Sequence, residues 1–570
     1  MDVRTQYGQF GQGIKVGIIS DGVDSRSSSI ASNDLPAEGS GLTVLRNVMG
    51  GDEGTAMLEI VHDMIPDAEL VFYDHGNNVL EFNQAITALL NYGCKVICDD
   101  IGWLTEPYFE DGTVGSHVTS LLNANELIYV SSAGNDGDNH YQGIYNSLNN
   151  TAEHDFSHGT SASPYLYIQM QAGEEVLIIL QWDDPFGGSG NDYDLYLYNG
   201  NTGTKVAQSI GWQSGSSDPI EIISYEANST ADYYISIERY SGNSRNLEVF
   251  IHPGSGTSIY STNLSPADAI YGHPAAAGAI AVGAIAADDP NNDDIEHFSS
   301  HGPVTIAHPT PEIRAKPDLA GIDGVRVTGA GGFPSRFYGT SAAAPHVAAV
   351  AAQLWAQLPG KTDDEIKSML FQSAVDLGNG GFDNVFGHGR ADALNGFSNI
   401  NDTSPPVISN IASGNLSTSS ATITWDTDEP ADTQIEYGTD NGYGSQTTLN
   451  TNPVTQHQQT LSGLQANTTY HYRVKSTDAA GNPAVSGDRT FTTLEAGAIT
   501  YTQRVNTGGA AYTGSDGRQW DSDQAFNGTW GYAGGGLYSS NSAISGTVDD
   551  MLFRSEHWGM SSYRFVVPLT

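Results

Sequence analysis

Apolar runs recur through the first 140 residues of this chain, spaced to leave room for a helix between them. Lys15 to Ser20, Glu69 to Tyr73, Lys95 to Cys98 and Leu127 to Ser131 are short, mostly apolar stretches of strand length. Met57 to Met64 and Leu80 to Tyr92 repeat their apolar positions at helical spacing. Strands buried on both faces and joined by helices predict a parallel sheet with crossover connections. The pattern resumes at Ala279 to Ile285 and closes with an alanine-rich helix, Ser341 to Gln357. Between the halves, residues 141 to 268 turn to short alternating segments broken by Gly, Ser and Asn, as in Tyr165 to Gln169, Val176 to Trp182, Asp192 to Tyr198 and Tyr233 to Ile237. An inserted β-sandwich is expected there. The predicted fold class is therefore α/β, a parallel sheet with helices on both faces, interrupted by the insert and followed by all-β modules.

After Phe386-Gly387-His388-Gly389-Arg390, the linker Asn401-Asp402-Thr403-Ser404-Pro405-Pro406 marks a boundary. The expected units are 1–140 with 269–400, 141–268, 405–494 and 498–570. Ala421-Thr422-Ile423-Thr424-Trp425, Leu464 and Tyr470-His471-Tyr472-Arg473-Val474 make 405–494 resemble a fibronectin type III module. Arg504-Val505-Asn506-Thr507-Gly508-Gly509, Thr547-Val548-Asp549-Asp550 and Arg554-Ser555-Glu556-His557-Trp558-Gly559 make 498–570 resemble part of a malectin-like module. That resemblance implies a carbohydrate or cell-surface polymer as a partner, with Trp520, Tyr532, Tyr538 and Trp558 suited either to sugar stacking or to the core. The insert segment Asn191-Asp192-Tyr193-Asp194-Leu195-Tyr196-Leu197-Tyr198 resembles the prepeptidase C-terminal sandwich found beside secreted peptidases.

Charge narrows the choice of partner. With 66 acidic against 22 basic residues among 570 and a net charge of -44, the surface repels phosphate backbones and anionic headgroups, which disfavours nucleic acid. No apolar run is long enough to span a bilayer, and no charged-then-apolar leader follows Met1. The modular tail nevertheless predicts a secreted, extracellular protein, its leader and propeptide not visible here. Cys94 and Cys98, read as four residues apart on one strand, would lie ~13 Å apart, beyond disulfide reach. Two buried thiols are expected.

Four ordered segments carry candidate chemistry: the strand ending at Ser20-Asp21-Gly22; Gly51-Asp52-Glu53-Gly54-Thr55; Ser132-Ala133-Gly134-Asn135-Asp136; and Gly339-Thr340-Ser341-Ala342-Ala343-Ala344-Pro345. A serine hydroxyl becomes a nucleophile when a base accepts its proton, a third group orients the base, and donors await the oxyanion. Ser341 sits at a glycine-permitted turn into a helix, a position that by itself favours a mere N-cap. Asn135 can offer its amide to an oxyanion or support a turn.

Joined with Gly272-His273-Pro274-Ala275-Ala276, Phe298-Ser299-Ser300-His301-Gly302-Pro303 and Lys316-Pro317-Asp318-Leu319, these segments resemble the subtilisin family across residues 12–398. The resemblance implies a serine peptidase acting on proteins or peptides, with Ser341 as nucleophile and Asn135 at the oxyanion. Ile101, Gly102, Trp103, Ser132, Ala133 and Gly134 would bind substrate. Two positions depart from the family. A gap-free match puts Ser20 at the family's aspartate, with Asp21 one residue later on the opposite face of the strand. Glu53-Gly54-Thr55 replaces His-Gly-Thr, which is similar to the sedolisin branch, where glutamate is the base; Met57 stands where that branch places its Asp. Either Asp100 or Asp21 is then expected to face Glu53, and two carboxyls in contact share a proton. An acidic optimum follows unless burial raises it. The alternative is an inactive scaffold serving adhesion or carbohydrate binding. No cofactor is required and no metal site is expected at the chemistry. Asp288-Asp289-Pro290-Asn291-Asn292-Asp293-Asp294 could hold structural calcium or be a solvated loop. His62, His75 and His117 lack ligand spacing and read as structural.

Overall fold

A computed structural model describes residues 3–157, 162–400, 402–478 and 480–495, together with parts of 504–565. Seven strands form one parallel sheet in the order Leu319–Asp323, Ile280–Ala286, Ile128–Ser132, Val96–Asp99, Lys15–Ser20, Glu69–Asp74 and Leu42–Arg46. Alternate residues of each central strand serve different cores. Val16 and Ile18 join the core under the helices Glu53–Met64 and Thr340–Gln357. Ile19 joins the one under Val79–Tyr92 and Thr113–Ala124. Both faces are covered, which is why these strands read as nearly unbroken apolar runs. The fold is a subtilisin-like α/β fold.

The helix Thr340–Gln357 is rich in alanine because it crosses the middle of the sheet, packing on five of its strands. Small side chains let the two backbones approach, while Leu354 and Trp355 fill the space beyond and are fully buried. Each such large side chain contributes about 1.5–3 kcal/mol of burial. Two strands, Leu42–Arg46 and Leu319–Asp323, were absent from the sequence expectation. Both lie at the sheet edges, one half-exposed and the other with small residues at its centre. Cys94 precedes the strand Val96–Asp99 and Cys98 lies within it; both are buried free thiols.

The insert forms two facing sheets of five and four strands that share a core around Trp182, Tyr193 and Tyr233. Its first strand, His140–Ile144, begins five residues after Asn135. In the strand Asp192–Asn199, Tyr193 enters that core, whereas Tyr198 stacks on Tyr234 with ring centroids 5.0 Å apart. Residues 409–492 build a further all-β unit. There Trp425 is buried, donates from Nε1 to Ser476 Oγ at 3.0 Å and stacks on His457 at 4.9 Å. Of the aromatic residues singled out beyond 498, Trp520 and Tyr532 are half-buried, and the side chains of Tyr538 and Trp558 lie outside the described residues. Among the described residues no helix is long and apolar enough to cross a membrane.

Candidate active site

Ser341 is presented by a turn that only glycine enters easily. Gly339 has φ +104°, and a β-carbon there would come within 3.2 Å of Asn135 Nδ2. Its N–H donates to Asp323 Oδ2 at 2.8 Å, at the end of an edge strand. Burial pushes the Asp323 carboxyl up to about 7. The helix then begins at Thr340, so Ser341 lies in its first turn, where backbone N–H groups have no intrahelical acceptor. Thr340 donates to Asn135 Oδ1 from both N and Oγ1, at 2.9 and 3.0 Å. With its oxygen so engaged, the Asn135 amide keeps Nδ2 for another acceptor, the assignment following from this hydrogen-bond network.

Glu53 is the first residue of its helix. Asp21, just past the strand Lys15–Ser20, accepts from the N–H groups of Gly22, Gly54 and Glu53, the Gly54 bond being 3.2 Å. A carboxylate on a helix N-terminus is favourably placed. The fit is close, since a β-carbon at Gly51, φ +120°, would overlap Asp21 Oδ2 at 1.9 Å. Asp21 thus meets the backbone of Glu53, and its carboxylate acts on the Glu53 carboxyl through charge.

The Ser341 hydroxyl and the Asp100 carboxyl are both near enough to the Glu53 carboxyl to act on its titration. Burial first, and then the charge of Asp21, push it above its ordinary value, while Asp100 and Ser341 pull in the opposite direction. Asp100 follows the strand Val96–Asp99. Its Oδ2 accepts from Ser20 Oγ at 3.1 Å, and its Oδ1 is enclosed with no other donor. Burial, reinforced by Glu53, drives Asp100 well above the carboxylate range. Two ionised carboxylates offer each other only acceptors, so this contact becomes a hydrogen bond when one is protonated. The more enclosed Asp100 is the natural holder of that proton.

Beside these groups opens a cavity of about 330 Å³. Ile101, Gly102, Trp103, Ser132, Ala133 and Gly134 all line it, with Asp100, Asn135 and Ser341. Asp136, Tyr271, Gly272, His273 and Pro274 line it too, as do His252 and Pro253 of the insert, none of them given a role on sequence. The Gly272-His273-Pro274 run was legible as a motif without a function. His273 Nε2 lies 2.8 Å from Asp99 Oδ1, which also accepts from Ser131 Oγ at 3.0 Å, anchoring the strand end that carries Asp100. Elsewhere, Asp289 Oδ2 accepts from Asp293 N at 2.7 Å within its own loop, and His117 pairs with Thr87. Among the described residues, Asp402, Glu429 and Asp478 place carboxylate oxygens within 4.8 Å of one another.

Residues 190–389 match the model of the Subtilase family, a stretch that includes Ser341 and begins after Glu53, Asp100 and Asn135. That stretch, about a third of the chain, is similar to the subtilase domain. Residues 406–493 match the Purple acid Phosphatase N-terminal domain, where the sequence suggested fibronectin type III. An extracellular serine protease of Serratia marcescens is 49% identical over 61 residues, 10% of this chain and 6% of that protein's length. The Clostridium perfringens CspB protease superposes with a TM-score of 0.49 at 16% identity, covering 69% of this chain and 94% of that one. A lanthipeptide protease gives 0.35 at 17% identity, over 70% and 91% of the two chains.

Proposed function

We propose that this protein is a secreted serine endopeptidase of serine-carboxyl type, in which Glu53 does the work of the missing histidine. What supports this reading is that the Ser341 hydroxyl and a second, enclosed carboxyl, Asp100, both act on the Glu53 carboxyl. With Asp100 protonated, Glu53 is held as an acceptor and oriented by the hydrogen bond it receives. As Ser341 Oγ attacks the peptide carbonyl, its proton passes to Glu53. The charge that gathers on the carbonyl oxygen meets Asn135 Nδ2 and the backbone N–H of Ser341. Glu53 returns its proton to the leaving amine, leaving an ester on Ser341. Water, deprotonated by Glu53, then attacks the ester, and the proton returns to Ser341 as the acid product leaves.

Extracellular work is supported by the kind of protein matched over the 61-residue stretch and by the β modules that follow the peptidase domain. The test is cleavage of an unfolded protein substrate from acid to mildly alkaline pH, with products mapped by mass spectrometry. Internal cuts that vanish with Ser341→Ala support the proposal. Absence of cuts at every pH, with no labelling by a serine-directed fluorophosphonate, returns the molecule to the scaffold alternative.

A further inference from the structure

A carboxylate stands in the wall of the substrate cleft without a cation to meet it. Asp136 follows Asn135 directly and is all but buried, yet it lines the cavity shared with Ser341. Among the described residues it meets no lysine or arginine, and its carboxylate accepts no hydrogen bond. The one ionisable group of opposite type within 4 Å is His252, whose Nδ1 lies 3.5 Å from Oδ1. His252 and Pro253 close the insert strand Asn246–Pro253, which here reaches into the cleft. The imidazole is held by stacking on Phe250, itself packed on Tyr108 and Tyr271. His252 Nε2 is enclosed and has no partner.

The histidine does not neutralise the acid. Burial pulls His252 down to about 4 and pushes Asp136 up to about 7. Near neutrality the imidazole is uncharged, so the 3.5 Å contact is not an ion pair, and ionising Asp136 places a lone negative charge in the wall. An apolar substrate side chain would cover that carboxylate and leave it unpaired, which is unfavourable. A cationic one would supply the missing donor and restore the ionised form.

Resting on the peptidase reading above, we propose that Asp136 and the insert residue His252 form a pocket that selects a lysine or arginine side chain next to the cleaved bond. The inserted sandwich is then part of the specificity machinery. This also accounts for its attachment between Asn135 and the Gly272-His273-Pro274 wall of the cleft.

The test separates the pocket from the chemistry. Ser341→Ala protein is titrated with fluorescent peptides that differ only in a central arginine or citrulline, slightly above neutral pH and at low salt. The arginine peptide is expected to bind at least about tenfold more tightly, the scale of one charge-assisted hydrogen bond. Asp136→Asn in the same background is expected to bring the ratio to within about twofold of unity. Equal binding of the two peptides, tighter binding of citrulline, or a ratio that Asp136→Asn does not move overturns the proposal. The ratio in the Ser341→Ala protein decides by itself if Asp136→Asn fails to fold. An arginine preference in binding with no cleavage by the unsubstituted protein would remove the peptidase reading and keep the pocket. Cleavage without that preference would remove the pocket alone.

Discussion

Replacing Asp100 with asparagine removes one titrating carboxyl while keeping its size and an N–H able to reach Glu53. In the folded protein the Asp100 pKa is raised well above its ordinary value, first by burial and then by Glu53. In the unfolded chain the same group loses its proton near about 3.9. Between those two values the native state holds one proton that the unfolded state has released, so stability falls with rising pH by about 1.4 kcal/mol per unit. The contribution is complete below the unfolded value and is lost as pH climbs through the folded one. Asparagine binds no such proton, so the variant's stability should decline less steeply, by up to that amount per unit. From pH 5 to 7 the two curves should diverge by as much as about 3 kcal/mol. Hydrogen exchange of the buried helix Thr340–Gln357, corrected for the intrinsic pH dependence of amide exchange, reads the opening free energy of the peptidase core. Parallel curves for the two proteins would refute the reasoning, because Asp100 would then titrate alike folded and unfolded and would share no proton with Glu53.

Other substitutions probe the remaining parts. Glu53→Gln should lower kcat/KM by about 10²–10⁴-fold in a quenched-peptide assay, the range of a lost general base. Asn135→Ala should cost about 10²–10³ in kcat with little change in KM, read from full saturation curves. Ser20→Ala removes the hydrogen bond that holds Asp100 down. The alkaline fall of kcat/KM, where Asp100 loses its proton, should therefore move to higher pH in the variant's rate profile. Trp425→Ala should destabilise the unit at 409–492 by about 3–5 kcal/mol in thermal unfolding, while peptide cleavage persists.

Much of the site was legible because its chemistry is written in short local runs. Gly339-Thr340-Ser341 declares a turn into a helix, and an alanine-rich stretch declares a helix lying on a sheet. Glu53 was recognisable as a base candidate, yet its place as the first helical residue was not. The helix expected from Met57 begins at Glu53, because the apolar periodicity starts only after the polar first turn. The choice between Asp21 and Asp100 could not be read from sequence. It depends on which strand end turns its carboxyl to Glu53, and Asp21 is spent on backbone N–H groups. His252 was beyond reach for another reason. It stands 116 positions from Asp136 on a strand whose sequence shows only alternation, and nothing local says that the end of that strand enters the cleft. The two overlooked strands, Leu42–Arg46 and Leu319–Asp323, failed because edge positions lose the unbroken apolar character that marked the centre of the sheet.

The central claim is that the proton of the attacking serine goes to Glu53. The most direct measurement is the rate at which a fluorophosphonate labels Ser341 across pH, in the unsubstituted protein and in Glu53→Gln. Labelling should rise with pH through an apparent pKa above the ordinary glutamate value, and the Glu53→Gln protein should be slower by at least about a hundredfold on the plateau. Equal labelling rates for the two proteins at every pH would contradict it.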